Sequence, residues 1–298
     1  MQEIKNLLAH GVPITFVTSF ARSGNTWMRY LLSDVFLQSQ GIDTATKLVI
    51  HPDEIIPDFY RSLVAVRDQT VGTNALLLKI HDPFKELRER FWGDSYRTES
   101  SFQRCRHLYL FRSPEDALVS LYHYHLRHDL VVEKSTKWIG PSKIDAFCRE
   151  ALPGWMEHVS GYLEAAESGV PIYFASYEQL SADSKKVLGE ILQWLGVPHT
   201  AVMLERATWN MQFQKLKATD ARDMGHHGRS GAGSNQLEPS TVELIRAETA
   251  HIIERANRRA RVSALSALAP VPDAFSHEEQ LRDGRSNMQM INSTPRVV

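Results

Sequence analysis

One stretch restricts the fold more than any other: Phe16-Val-Thr-Ser-Phe-Ala-Arg-Ser-Gly-Asn-Thr-Trp27. An apolar, β-prone run from Ile14 to Val17 gives way to small and polar residues. A helical period then opens, with Trp27, Leu31, Leu32, Val35 and Phe36 at its apolar positions. A strand that turns tightly into a helix exposes the first N–H groups of that helix and the positive end of its dipole, a ready anion site. At the joint, Arg22 adds a positive fork and Gly24 lets the backbone approach an anion. Ser23, Asn25 and Thr26 add side-chain donors. The same residues also suit an ordinary strand–turn–helix capped by Asn25 or Thr26. No Gly-Lys pair occurs anywhere in the chain, so the stretch is not the triphosphate loop of an ordinary NTPase.

Further along, short apolar runs alternate with helical patterns. Strands are expected at Ala75–Ile80, His107–Phe111 and Pro171–Ser176. Helices are expected from Pro114 to about His128, from Pro153 to Ser168 before Gly169, from Ser184 to Leu195 before Gly196, and from Pro239 to about Arg259. Residues 42–75, with Pro52 and Pro57, read as short helices and loops over a sheet edge. Residues 129–145 read as a mobile loop, and 219–239 as a long glycine-rich one. The alternation predicts an α/β fold: a single domain with a central parallel sheet flanked by helices, over residues 1–263, and a tail from 264 to 298. In such sheets ligands sit beyond the carboxyl ends of the strands. Arg22–Thr26, Lys79 with His81, Arg112–Ser120 and Tyr177 all follow predicted strands, so they are expected to converge.

Composition narrows the partners. A net charge of −1 argues against general nucleic-acid binding, so any anion site must be a local concentration of basic groups. The two cysteines, Cys105 and Cys148, cannot build a disulfide framework or a four-ligand zinc site. The chain starts without a leader-like pattern and has no apolar run of spanning length, so a cytoplasmic protein without membrane contact is the expectation.

Each remaining candidate has two readings. Lys79 and His81 lie two apart on a strand and share a face, so a neutral His81 beside a positive charge is a candidate general base, or simply one of thirteen histidines. Arg112 is placed to grip a phosphate with Ser120 two turns into the next helix, or is a surface arginine. His123, His125 and His128 are not spaced as stacked helical ligands, so no metal site is expected. Arg229-Ser230-Gly231 lies in the glycine-rich loop, either a phosphate cradle or plain surface.

Together these stretches resemble the sulfotransferases that use 3′-phosphoadenosine 5′-phosphosulfate (PAPS), and specifically the cytosolic small-molecule branch. The family's Pro-Lys-Ser-Gly-Thr-Thr-Trp is similar to Ala21-Arg-Ser-Gly-Asn-Thr-Trp27, its Lys-Thr-His to Lys79-Ile-His81, and its Tyr-Glu-Asp to Tyr177-Glu-Gln179. Its Arg with a Ser eight residues on resembles Arg112 and Ser120, and its late Arg-Lys-Gly loop resembles Arg229-Ser-Gly-Ala-Gly233. The resemblance implies a P-loop-like strand–loop–helix that binds the phosphosulfate, and in-line sulfuryl transfer to a hydroxyl or amine of a small acceptor, without a metal. PAP, 3′-phosphoadenosine 5′-phosphate, would be the product. It further implies His81 as base and Lys79 supporting the transferred group. Arg22, Thr26 and the amides of Ser23 and Gly24 would sit on the leaving phosphate. Arg112, Ser120 and Arg229 would hold the 3′-phosphate, and Trp27, Tyr177 and Phe213 the adenine, with Trp209 as the alternative to Phe213.

Some positions depart from the family pattern. Arg22 replaces its Lys, as in Golgi-type relatives, and Asn25 replaces a Thr; Ser230 stands where the loop has Lys. Only Thr241-Val242 remains of the family's dimer motif, leaving the oligomeric state open. A carbohydrate acceptor is the runner-up. A P-loop-like kinase or hydrolase, and a non-catalytic nucleotide- or glycan-binding relative, stand as readings of other classes. Phe59, Tyr60, Phe84, Trp92 and Trp138 are expected either to stack on a planar acceptor or to be core.

Overall fold

Every residue of strand β1 (Ile14–Ser19) is buried, as befits an inner strand of the sheet. The computed structural model describes residues 12–44, 51–60, 76–92, 105–127, 143–212 and 230–268. Within them β2 (Leu76–Ile80), β3 (Arg106–Phe111) and β4 (Ile172–Ser176) join β1 in a four-stranded parallel sheet of order β2-β1-β3-β4. Strand residues alternate between two faces. Ile14, Phe16, Leu76, Leu78, Tyr109 and Phe174 belong to one apolar core, and Val17, Leu77, Leu108, Leu110 and Tyr173 to the other. Fully buried parallel strands need cover on both faces, which explains their near-continuous apolar sequence.

The helices supply that cover. On one side lie α1 (Asn25–Ser39), α6 (Ser184–Leu195) and α7 (Ala201–Asn210); on the other lie α3 (Pro114–Arg127), α4 (Ile144–Glu167) and α8 (Pro239–Leu268). Two shorter helices, α2 (Phe84–Trp92) and α5 (Tyr177–Ala182), follow β2 and β4. Residues 51–60 run along the β2 edge: Phe59 N–H donates to the Lys79 carbonyl, and Lys79 N–H to that of Pro57. Buried Arg29 on α1 fixes this segment through its 2.6 Å ion pair with Asp53.

Five elements differ from the sequence reading: α2 and α5 have no counterpart in it, and three more depart as follows. Helix α4 begins at Ile144 rather than Pro153 and carries that proline inside it. Burial of Ile144, Cys148 and Leu152 in the core outweighs the lost backbone hydrogen bond. It also places Ile144 and Asp145 in a helix, not in the expected loop. Helix α8 runs past Arg259 to Leu268, because Ala260, Ser263 and Ala267 continue its buried side. Ser263 Oγ accepts the Phe174 N–H at 3.0 Å, closing the β4 edge. Helix α7 had no signal strong enough to be read. Phe59 and Phe84 are core residues, 5% and 6% exposed, whereas the Tyr60 ring is open to solvent. Trp138 lies outside the described residues. No helix among the described residues is long and apolar enough to cross a membrane.

Candidate active site

β1 has β2 on one side and β3 on the other, so the strand order reverses beside β1, the place where sheets of this kind bind ligands in a crevice at the carboxyl ends of their strands. The turn after β1 enters that crevice. Gly24, at φ 97°, precedes α1 with no side-chain cap. Asn25 therefore does not cap the helix. Its side-chain amide donates to the Val17 carbonyl at 3.0 Å and pins the turn to β1. Arg22 holds a left-handed φ of 67°, a conformation costing about 1–2 kcal/mol for a residue with a Cβ. That turn brings Arg22 Nε to 3.4 Å from Ser120 Oγ and its guanidinium to 4.8 Å above the Tyr124 ring, both on α3.

The turn after β3 meets the same place. An Arg112 N–H donates to the Arg22 carbonyl at 3.4 Å, and the Arg112 guanidinium lies 4.2 Å over the Tyr177 ring. Tyr177 starts α5 through a capping box between Ser176 and Gln179. Its ring lies against the Gly24 backbone: a Cβ at residue 24 would come 2.6 Å from Tyr177 Cδ2. The Trp27 ring is 5.8 Å from that of Tyr177, and Trp27 Nε1–H donates to the Met211 carbonyl at 2.8 Å. Two arginines, a helix N-terminus and two aromatic rings thus converge from three strand ends.

The end of β2 supplies the remaining groups. His81 Nδ1–H donates to the Ser19 carbonyl at 2.8 Å, and the Ser19 hydroxyl is 3.4 Å from the same nitrogen. A carbonyl only accepts, so Nδ1 carries the proton and Nε2 is the ring's unprotonated nitrogen. Burial, and then the Lys79 charge, push the His81 pKa down to about 4. Lys79 Nζ pairs with Asp58 at 2.9 Å. Burial opposes the charged form of Asp58, but the hydrogen bonds from Lys79 and the Tyr60 N–H, with the Lys79 charge, hold it below the usual carboxylate range. Behind His81, buried His158 donates from Nε2 to the His81 carbonyl at 3.1 Å and accepts the Tyr109 hydroxyl at Nδ1 at 2.8 Å.

The glycine-rich loop docks on α3. Asp116 accepts the Gly231 N–H at 2.7 Å and the Gly233 N–H at 2.6 Å, and lies 3.5 Å from Arg112. Ser230 and Gly231 are exposed beside this contact. Phe213 and Arg229 lie outside the described residues, and Trp209 is 64% exposed. Ser19, Asp58 and Asp116 were missed as site residues. Asp116 was legible only as an acid at a helix start, and nothing in the sequence ties Asp58 to Lys79.

An arginine pair with backbone donors at a helix N-terminus suits an anionic ligand, and a neutral histidine at the neighbouring strand end has a ring nitrogen free of a proton. A sulfotransferase-domain family model matches residues 13–238, and the chain belongs to the sulfotransferase family. It is 26% identical to flavonol 3-sulfotransferase of Flaveria bidentis, over 71% of this chain and 67% of that one. It is 24% identical to cytosolic sulfotransferase 7 of Arabidopsis thaliana, over 77% and 75%. A mouse sulfotransferase crystallised with PAP superposes with a TM-score of 0.60 at 16% identity, covering 89% of this chain and 93% of that one. Family membership makes it a sulfotransferase, and PAPS is the donor against which the site is compared.

The groups present fit this donor. PAPS carries about four negative charges, and Arg22 and Arg112 meet within one short crevice. Ser23 Oγ is buried there with no hydrogen-bond partner among the described residues, a donor available to an oxyanion.

Proposed function

We propose that the chain moves the sulfuryl group of PAPS to a hydroxyl, or an amine, of a small organic acceptor, with His81 taking the acceptor proton. The His81 tautomer carries this reading. Ser19 fixes the proton on Nδ1, and the lowered pKa leaves Nε2 unprotonated at neutral pH, though a weaker base than a free imidazole.

PAPS, when bound, supplies an electrophilic sulfuryl group on a good leaving phosphate. The chain's own residues do the rest. Arg22, Thr26 and the amides of Ser23 and Gly24 neutralise charge on the leaving phosphate. Arg22 stays protonated at any working pH, so its help is electrostatic rather than by proton donation. Lys79, oriented by Asp58, lends positive charge beside His81. Arg112 and Ser120, with the Arg229-Ser230-Gly231 segment, hold the 3′-phosphate, and Trp27, Tyr177 and Phe213 enclose the adenine. In this reading the positive charge comes from side chains and backbone rather than from a metal. A cytoplasmic location accords with the description of the Arabidopsis relative as cytosolic.

The test is incubation with radiolabelled PAPS and a panel of flavonols, simple phenols, aliphatic alcohols, amines and sugars. Labelled product with equimolar PAP is expected from the phenols or alcohols. Transfer to sugars alone moves the acceptor class to carbohydrate. No transfer to any acceptor by a protein that binds PAP contradicts the reading and leaves a binding protein. A melting-temperature rise with ATP but none with PAP contradicts the donor.

A further inference from the structure

The Asp116 carboxylate gathers three groups, two amides from a loop far along the chain and the guanidinium of Arg112 four residues before it. Each oxygen takes one loop amide, Gly231 on Oδ2 and Gly233 on Oδ1, at 2.7 and 2.6 Å. Oδ2 also lies 3.5 Å from Arg112, whose guanidinium rests on Tyr177. Asp116 is 2% exposed, so its oxygens depend on these protein donors rather than on water. Gly233 closes the contact from the other side. A Cβ there would lie 2.6 Å from the Glu115 carbonyl oxygen and 2.8 Å from Asp116 Cα, so only glycine lets the loop sit this close.

We propose that Asp116 is a positioning residue for the 3′-phosphate subsite: it ties the 231–233 backbone and the Arg112 fork to one point at the start of α3, and so sets the preference for a 3′-phosphorylated nucleotide over its 5′-monophosphate. This rests on the assignment of Arg112 and the glycine-rich loop to the 3′-phosphate. Asp116 does not touch the nucleotide. A carboxylate facing a phosphate directly would repel it, whereas one spent on two amides and a guanidinium orients donors while its charge is met.

Isothermal calorimetry with PAP and AMP tests this on the whole chain. The wild type is expected to prefer PAP. Asp116→Asn turns one N–H acceptor into a donor facing a donor and removes the charge beside Arg112. The PAP:AMP affinity ratio is expected to fall about tenfold or more, with AMP affinity nearly unchanged. Gly233→Ala, which leaves every charge in place, is expected to lower the same ratio by lifting the loop, and it carries the test should Asp116→Asn not fold. A purely structural role would lower the melting temperature and weaken both nucleotides alike. Equal weakening, or an unchanged ratio in either folded variant, overturns the proposal. A wild type that does not distinguish PAP from AMP overturns the 3′-phosphate assignment itself, and this is read before any variant is made.

Discussion

At the scale of single residues, the site depends on groups whose charge or tautomer is fixed by a neighbour. Arg112 shows how. Its guanidinium lies over Tyr177, bonds the Arg22 carbonyl and faces Asp116, so it is held before any ligand arrives. Ordering a long side chain in advance lowers the entropy lost on binding. Arg112→Ala should weaken PAP by about 1.5–3 kcal/mol and leave AMP almost unaffected, as measured by calorimetry. Equal losses for the two nucleotides would place Arg112 elsewhere. These residues were legible in the sequence because each followed an apolar run. Asp58 was not, since its partner Lys79 lies on a different element and only the folded chain brings residues 51–60 against β2.

At the scale of elements, the β1–α1 joint is tightly constrained. Gly24 combines a positive φ with the closest ring contact of the described glycines. Gly24→Ala should therefore lower the melting temperature and weaken PAP binding together, the strain alone being worth about 1–3 kcal/mol. Gly169 is the control. It has a similar φ of 93° but open space around it, at the turn leaving α4. Gly169→Ala should cost stability and leave PAP binding intact. Identical PAP affinities for both variants and the wild type would remove the joint from the donor site. The strands were readable because buried parallel strands are short apolar runs. The start of α4 was not, because Pro153 looks like a first-turn residue and only core packing overrules it. The strand–turn–helix joint was readable, but not the use of Asn25, whose amide stitches the turn to β1 instead of capping α1.

For the whole molecule, three histidines make stability depend on pH. His81 is held to about 4, and burial holds His107 and His158 to about 3, against 6.5 when unfolded. Below pH 6.5 the unfolded chain takes up protons that the folded chain refuses, so stability must fall as the pH drops toward 4. Chemical denaturation between pH 7 and pH 4.5 should show this loss. Replacing fully buried His107, stacked 5.3 Å from Phe16, with Phe should reduce the slope by about one proton. A stability independent of pH over that range would contradict the neutral assignments. The domain's carboxyl boundary is equally testable. Ending the chain after Val262 removes Ser263 and its hydrogen bond to Phe174, whereas ending it after Leu268 keeps α8 whole. The first truncation should lower the melting temperature and the second should leave PAP affinity unchanged. A large loss of PAP affinity in the second would extend the donor site beyond residue 268.

The central claim is that His81 is the base, and turnover with PAP binding measured side by side in His81→Ala tests it most directly. A positioned base contributes about 10²–10⁴-fold. Turnover should fall by that factor on the true acceptor while PAP binds with near wild-type affinity, because the phosphates are assigned to Arg22, Arg112 and Ser120 rather than to His81. With its pKa near 4, the wild-type imidazole should also sustain turnover well below pH 6. A His81→Ala enzyme that turns over at close to the wild-type rate would contradict the assignment and point to an acceptor already ionised or to another base.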